Sequence, residues 1–326
     1  MHAKYLAKQH TGFIGRICFF LALSFFLAFF LKNPALLSQQ GSQILLTCGT
    51  KIIPVLFPFC VATELSVRCG YISWLSRPFS PLVRRLFAMP SACVGAIFSG
   101  LSAGFPLGVK TAIALYRDGA CTKEDCERLL GFCNHCSPAF LVGTIGALYF
   151  HSAQVGWVFF LIQIPAAIAT GILFRPRNHT QNFGRFFPKQ PLASVGSELA
   201  QAVTHATSAT LTVCGFLLFF KLVSFAFVTV GTAVGLPTLL QVCGCGILEF
   251  SEGITMALTV YGTAIPRLAF ALCGAFVGFG GLSVAFQVAS LASSEQLSLR
   301  FYFYGKLFSG ALCAILAYLI APFLSL

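Results

Sequence analysis

Residues 98–110 read F-S-G-L-S-A-G-F-P-L-G-V-K. Gly100, Gly104 and Gly108 fall four apart, Pro106 sits between the last two, and Lys110 closes the stretch. Apolar sequence lies on both sides. A helix cannot run smoothly through it, because glycine costs helix propensity and Pro106 removes a backbone donor. In hydrocarbon, the freed backbone groups must be satisfied by protein or by a water-lined cavity. A break at membrane depth therefore points to a site, as in carriers built on broken helices, or to a glycine packing face that tolerates a proline.

Composition sets the frame. Of 326 residues, 57% are hydrophobic and only 9% charged, with a mean hydropathy of +0.85. That is the range of an all-α polytopic membrane protein, not of a soluble globular domain. The net charge of +12 falls mostly in short loops beside apolar spans. There it sets topology and attracts anionic lipid headgroups, so membrane lipid is an expected partner and nucleic acid is not. Most of the 14 cysteines lie inside apolar runs and act as small hydrophobes. Cys133-Asn134-His135-Cys136 is a C-x-x-C with no second pair at zinc spacing. No metal or other cofactor is expected. Nor is an enzyme, because no nucleophile sits beside a base.

Along the chain, Lys4, Lys8 and Arg16 precede an apolar run over residues 17–31 with no small-residue cleavage site after it. It reads as an uncleaved first span, with the N-terminus cytoplasmic and the protein in the cell membrane. A second span over 44–66 carries Lys51, Pro54, Pro58 and Glu64. Arg68, Arg77, Arg84 and Arg85 then flank an interfacial segment with Trp74, Phe79, Leu82 and Phe87 on its apolar side. The arms of the central break, 92–98 and 107–116, are each shorter than the ~20 residues a span needs. A hairpin that enters and leaves on the cytoplasmic side fits best. Spans at 129–150 and 155–174 then return the chain to the cytoplasm at Arg175, Arg177, Arg185 and Lys189, as the positive-inside rule asks. Thr122 with Asp125 reads as a helix N-cap box.

The expected organisation is an N-terminal span and outer loop (1–42), a first repeat (43–174), a cytoplasmic linker (175–196) and a second repeat (197–326). In the second repeat, 197–207 lies along the membrane and 209–230 spans. Residues 236–261 and 264–279 follow, then a break at Gly280-Gly281, a short arm, and a last span at 301–323. The halves rhyme: I-L-L-T-C-G at 44–49 resembles T-L-T-V-C-G at 210–215, and 99–110 matches 277–287 in kind. The first pair should run in opposite senses. The fold expected is an inverted repeat with two re-entrant broken-helix hairpins meeting near the midplane, where such carriers bind substrate.

Candidate site residues follow from this scheme. Lys110 is an intramembrane cation beside a break; it neutralises a ligand carboxylate, pairs with Glu64 or Glu249, or snorkels to the interface. Gly104, Gly108, Gly280 and Gly281 either let the backbone approach a ligand, with freed amides facing an anion, or pack helices. Glu64, Glu249 and Glu252 lie in apolar frames; one carries a coupling charge, or they form structural pairs with Lys51, Lys110 or Arg267. Asn134 donates to substrate or caps the break before Pro138. Gln287 stands as the second-half counterpart of Lys110. His135 and His151 read as interfacial.

The residues Gly104-Phe105-Pro106-Leu107-Gly108-Val109-Lys110, followed by Gly119, Thr122, Glu124, Leu129-Leu130, Phe132, Asn134, Pro138 and Phe140, carry a resemblance. They resemble the YlbJ-type sporulation integral membrane proteins, within the wider nucleoside-recognition or Gate set. The usual motif there is G-Y-P-x-G-A-K, then T-x-x-E-A and F-x-N; this chain has Phe105 for the tyrosine and Val109 for the alanine. The resemblance implies a fold similar to concentrative nucleoside transporters, with Phe105 and Pro106 among the substrate-contacting residues. It also implies movement of a small, anionic aromatic solute of the dipicolinate kind during spore formation. A nucleoside-type solute and a non-transporting subunit of a larger complex are the alternatives. A second copy of the chain and other sporulation membrane proteins stand as candidate partners.

Overall fold

A computed structural model describes residues 20, 21, 23–176 and 194–324. The basic N-terminus with most of the expected first span, and the linker residues Arg177, Arg185 and Lys189, lie outside the described residues. Within them, all regular structure is helical. Five helices are long and apolar enough to cross a bilayer: Pro34–Arg68, Ala153–Leu173, Gly196–Ala233, Pro266–Ser293 and Arg300–Phe323.

After a short apolar helix α1 (Leu23–Lys32), α2 (Pro34–Thr47) and α3 (Ile53–Arg68) make one rod through wide, π-type turns at Cys48–Ile52. The wide turns directly precede Pro54, whose missing N–H leaves an upstream carbonyl without its ordinary partner. Two amphipathic pieces follow, α4 (Tyr71–Ser76) and α5 (Ser80–Phe87). Val83 and Phe87 are buried, while Trp74, Phe79 and Leu82 stay exposed, so the apolar residues of this segment divide between core and surface.

The central stretch forms α6 (Cys93–Ala103) and α7 (Leu107–Arg117). The arms fold back on each other: a Cβ on Gly108 would sit 2.8 Å from the Gly100 Cα, and one on either glycine would collide with the Cys133 carbonyl. Next, α8 (Lys123–Leu130) opens with the expected cap box, Thr122 Oγ1 accepting from the Asp125 N–H at 3.1 Å. The expected span over 129–150 is not continuous. Residues 131–137 leave the helix, and from Pro138 a wide helix, Ala139–Tyr149, takes the chain on. The residue before a proline is pushed out of helical geometry, so the chain ahead of Pro138 stays non-helical at Ser137. Then α9 (Ala153–Leu173) closes the first half.

The second half begins with α10 (Val195–Ala233), a single helix of 39 residues, about 58 Å long. The polar 197–207 segment is therefore part of one rod with the span and does not form a separate element along the membrane. The rod packs antiparallel to α2–α3. Cys48, Ile52 and Leu56 meet Cys214 and Leu217, Glu64 pairs with His205 at 2.8 Å, and Arg68 Nε pairs with Glu198 at 2.7 Å.

Residues 236–261 form two helices, α11 (Thr238–Leu248) and α12 (Phe250–Tyr261), that turn at Glu249. Gly253 lies against Gly246, where a Cβ would come within 2.3 Å of the Gly246 Cα. This is the second fold-back hairpin. It was expected at 277–287, but α13 (Pro266–Phe279) and α14 (Gly281–Ser293) pack on other elements more than on each other. The last helix, α15 (Arg300–Ile320), lies along α13. Each half thus runs hairpin, broken helix, long helix. The partner of residues 99–110 is 246–253, and the partner of 277–287 is the break at 131–138.

The interior fits this order. Cys, Ala and Gly fill the tight crossings, while Leu161, Leu211 and Leu319 point outward, each more than half exposed. Small residues inside and large apolar ones outside is the arrangement of helices packed in lipid.

Candidate functional site

Four irregular points come together: the α6–α7 tip, the 131–138 break, the α11–α12 tip and the α13–α14 junction. Gly104, at φ +77°, is pressed on Ser137; a Cβ there would lie 2.5 Å from the Ser137 nitrogen. Gly280, at φ +84°, would carry a Cβ 3.3 Å from the Phe105 ring, and Gly281, at φ +77°, faces the Phe250 nitrogen. All three glycines have backbone angles that L side chains rarely adopt.

The junction encloses a cavity. Its apolar side is Phe105, Phe140 and Phe250, with ring centroids 6.1 Å apart for Phe105–Phe250 and 5.6 Å for Phe140–Phe250. Its polar side is Ser137, Glu249, Ser283 and Gln287. Glu249 is the N-cap of α12: its carboxylate accepts from the Glu252 N–H at 2.8 Å and the Ser251 hydroxyl at 2.5 Å. A carboxylate held this way by a helix start is stabilised where it would otherwise be costly. The Gln287 Oε1 is buried without a hydrogen-bond partner.

A second cavity shares part of this lining. Phe105, Leu56 and Val213 line both. The second one holds Pro106, Lys110, Glu64 and His205. Phe105, at the hairpin tip, is thus one of three side chains that the two cavities share.

Of the residues singled out from sequence, Phe105, Glu249 and Gln287 line the first cavity, and Gly104, Gly280 and Gly281 shape its walls. Pro106, Lys110 and Glu64 line the second. Several expectations change. Glu64 pairs with His205, and Arg68 reaches it at 4.0 Å, so it is not the partner of Lys110. Lys110 and Glu249 stand at different cavities. Glu252 pairs with Lys221 at 2.9 Å, in place of Lys51, Lys110 or Arg267, and lines neither cavity. Gly108 serves packing against Gly100 and Cys133. Asn134 does not cap the break, since both its side-chain polar atoms are buried without partners. His135 is buried, with Nε2 2.7 Å from the Phe132 carbonyl, and is not interfacial; His151 is exposed.

Sequence reading missed Ser137, Phe140, Phe250 and Ser283, which become neighbours only once the breaks converge. It also missed Lys306, whose signal was present: a lysine six residues beyond Arg300 inside an apolar span.

The family model described as Gate, nucleoside recognition, matches residues 50–294. The chain belongs to the Gate family. The matched region covers both hairpins, both broken helices and all four points of convergence. Among curated proteins, this Gate protein is similar to the sporulation integral membrane protein YlbJ of Bacillus subtilis (strain 168). Identity is 24% over 347 aligned positions, covering 94% of this chain and 84% of the relative. No solved structure matches it. With five spanning-length helices and an integral membrane relative, the Gate protein is a multi-pass membrane protein.

Proposed function

We propose that the protein is a secondary carrier that moves a small, anionic, planar aromatic solute of the dipicolinate kind across the cell membrane during spore formation. It acts by carrying its solute, not by catalysis. The observation that supports this reading is the convergence of four helix breaks on one cavity lined by three phenylalanine rings. Broken backbone inside a membrane persists where it serves such a cavity. Aromatic rings receive a planar solute by offset or edge contacts, and the start of α14, which has no side-chain cap, brings a positive helix end to the wall.

In this reading the two fold-back hairpins are re-entrant and the halves form an inverted repeat, with the N-terminus cytoplasmic. One contact supports the inversion. Cys48 and Cys214, the matching cysteines of I-L-L-T-C-G and T-L-T-V-C-G, pack together where α2–α3 and α10 cross antiparallel. Equivalent residues touch when they lie beside a two-fold axis. Alternating access then follows from the two halves rocking about the breaks.

Uptake into proteoliposomes tests this. Labelled dipicolinate should enter saturably, without competition from uridine. Gln287→Met keeps the volume and removes the amide, and should weaken uptake by about tenfold, the size of one lost polar contact. A nucleoside-type solute is the second reading, favoured by the unpartnered Gln287 oxygen beside Glu249, which suits the polar edge of a base. Uridine uptake without dipicolinate uptake would select it. Uptake of neither, with the chain recovered only in a larger assembly, would point to a complex subunit.

A further inference from the structure

We propose that Lys306, with the side chains of Asn134 and Tyr302, forms an anion-recognition site for the carboxylate of the solute, screened from the first cavity by the Phe105 ring. This rests on the carrier reading above and adds to it the group that selects charge.

Lys306 lies on α15 and is 3% exposed. Among the described residues, no carboxylate lies within 4.0 Å of its ammonium. The ammonium donates to the Asn134 backbone carbonyl, in the 131–138 break, and sits 5.0 Å above the centre of the Phe105 ring. The close approach depends on Gly305, where a Cβ would meet the Gly131 carbonyl at 2.3 Å. A cation held in a membrane interior by neutral partners alone is expensive, and such residues mark functional sites. A carbonyl and a ring face offset only part of the lost hydration.

The surroundings are orphaned too. The Asn134 side chain is fully buried, and both its amide atoms lack partners. Tyr302, one helical turn before Lys306, is 1% exposed and its hydroxyl lacks a partner. The two side chains lie against each other. Buried polar groups are nearly always paired, so three in one place require a reason. Two ammonium N–H groups, one amide NH2 and one phenol O–H outnumber the one amide oxygen, so the set is rich in donors. A carboxylate, which only accepts, is the group that fits it.

Phe105 connects this set to the path of the solute. The same ring covers the ammonium and lines both cavities. Gly280 offers it no side chain to pack against. A turn of the ring away from Lys306 opens the ammonium to the first cavity, beside Ser137 of the same break. A solute carboxylate then replaces the ring as the partner of the charge.

The test compares dipicolinate with its uncharged analogue pyridine-2,6-dicarboxamide, using uptake by the full chain in proteoliposomes. Lys306→Met should lower dipicolinate affinity by about 10- to 100-fold, the range of a charge-assisted hydrogen bond. The diamide should stay within about threefold. Tyr302→Phe keeps the ring and removes only the hydroxyl, so it tests the site even if Lys306→Met does not insert. It should lose dipicolinate affinity severalfold and leave the diamide unchanged. Equal losses for both solutes would make Lys306 a structural strut and overturn the proposal. So would unchanged dipicolinate uptake in both variants, with the carrier reading left standing. Wild type that takes up neither solute would overturn both readings.

Discussion

Gly100→Ala should leave little folded protein in the membrane. The added methyl would lie 1.7 Å from the Cys133 oxygen and 2.8 Å from its carbonyl carbon. Neither atom belongs to a side chain that can rotate away. Relief requires α6 to move off the 131–138 break, and with it the Gly104–Ser137 contact that brings the first hairpin tip to the cavity. Overpacking of a tight interior costs about 1–3 kcal/mol and at times more. A backbone collision with no flexible neighbour belongs at or above the top of that range. Against a total stability of roughly 5–15 kcal/mol, the loss is large. Gly95→Ala supplies the control on the same helix, since a Cβ there meets nothing within 4 Å. It should be neutral or stabilising by up to about 1 kcal/mol through helix propensity. Thermal unfolding of the two variants in detergent, followed by fluorescence-detected gel filtration, checks the contrast. Equal midpoints would mean that α6 and the break do not pack as described.

Arg128→Met should be nearly as damaging, for an electrostatic reason. The guanidinium is buried and joins three parts of the first half. It pairs with Asp125 at 3.1 Å and donates to the carbonyls of Phe174 at 2.9 Å and Phe87 at 2.6 Å. It thereby ties the ends of α5 and α9 to α8. Removing it leaves the buried Asp125 carboxylate with no counter-charge from Arg128, only its Thr122 contacts among those described, and frees two carbonyls. Breaking one side of such a pair costs about 3–5 kcal/mol, while replacing both partners is often close to neutral. The double variant Arg128→Met, Asp125→Asn should therefore recover a good part of the stability lost by the single one. A double variant as unstable as the single would assign the effect to the Phe87 and Phe174 carbonyls alone. The same thermal assay decides between them.

These two effects show how unevenly the site could be read from the chain. Residues 98–110 announce a break, because glycine and proline act on the backbone that carries them. The Thr122–Asp125 cap box is legible for the same reason: both partners lie within one turn. The break at 131–138 is harder to see. It has Pro138 at its end, but its apolar frame continues through Leu141 and reads as one span. The second hairpin was misplaced by one element. Gly280-Gly281 looked like the counterpart of Gly104–Gly108, yet the fold-back occurs at Glu249, between Gly246 and Gly253. Two glycines in sequence show only that a helix can bend; whether its arms pack together depends on the other elements around it.

The sequence by itself determined the membrane class, the helical content, the family and the position of the central hairpin. All of these rest on composition or on groups within a few residues of each other. Only the tertiary structure decided which breaks meet, that Phe105 lines two cavities, and that Glu64, Glu252 and Arg128 have the partners they have. It alone placed Lys306 on the Asn134 carbonyl, 172 residues away along the chain. The physical reason is that in an apolar environment a charge must find a polar partner wherever the fold provides one. Sequence shows which groups need partners, and packing assigns them.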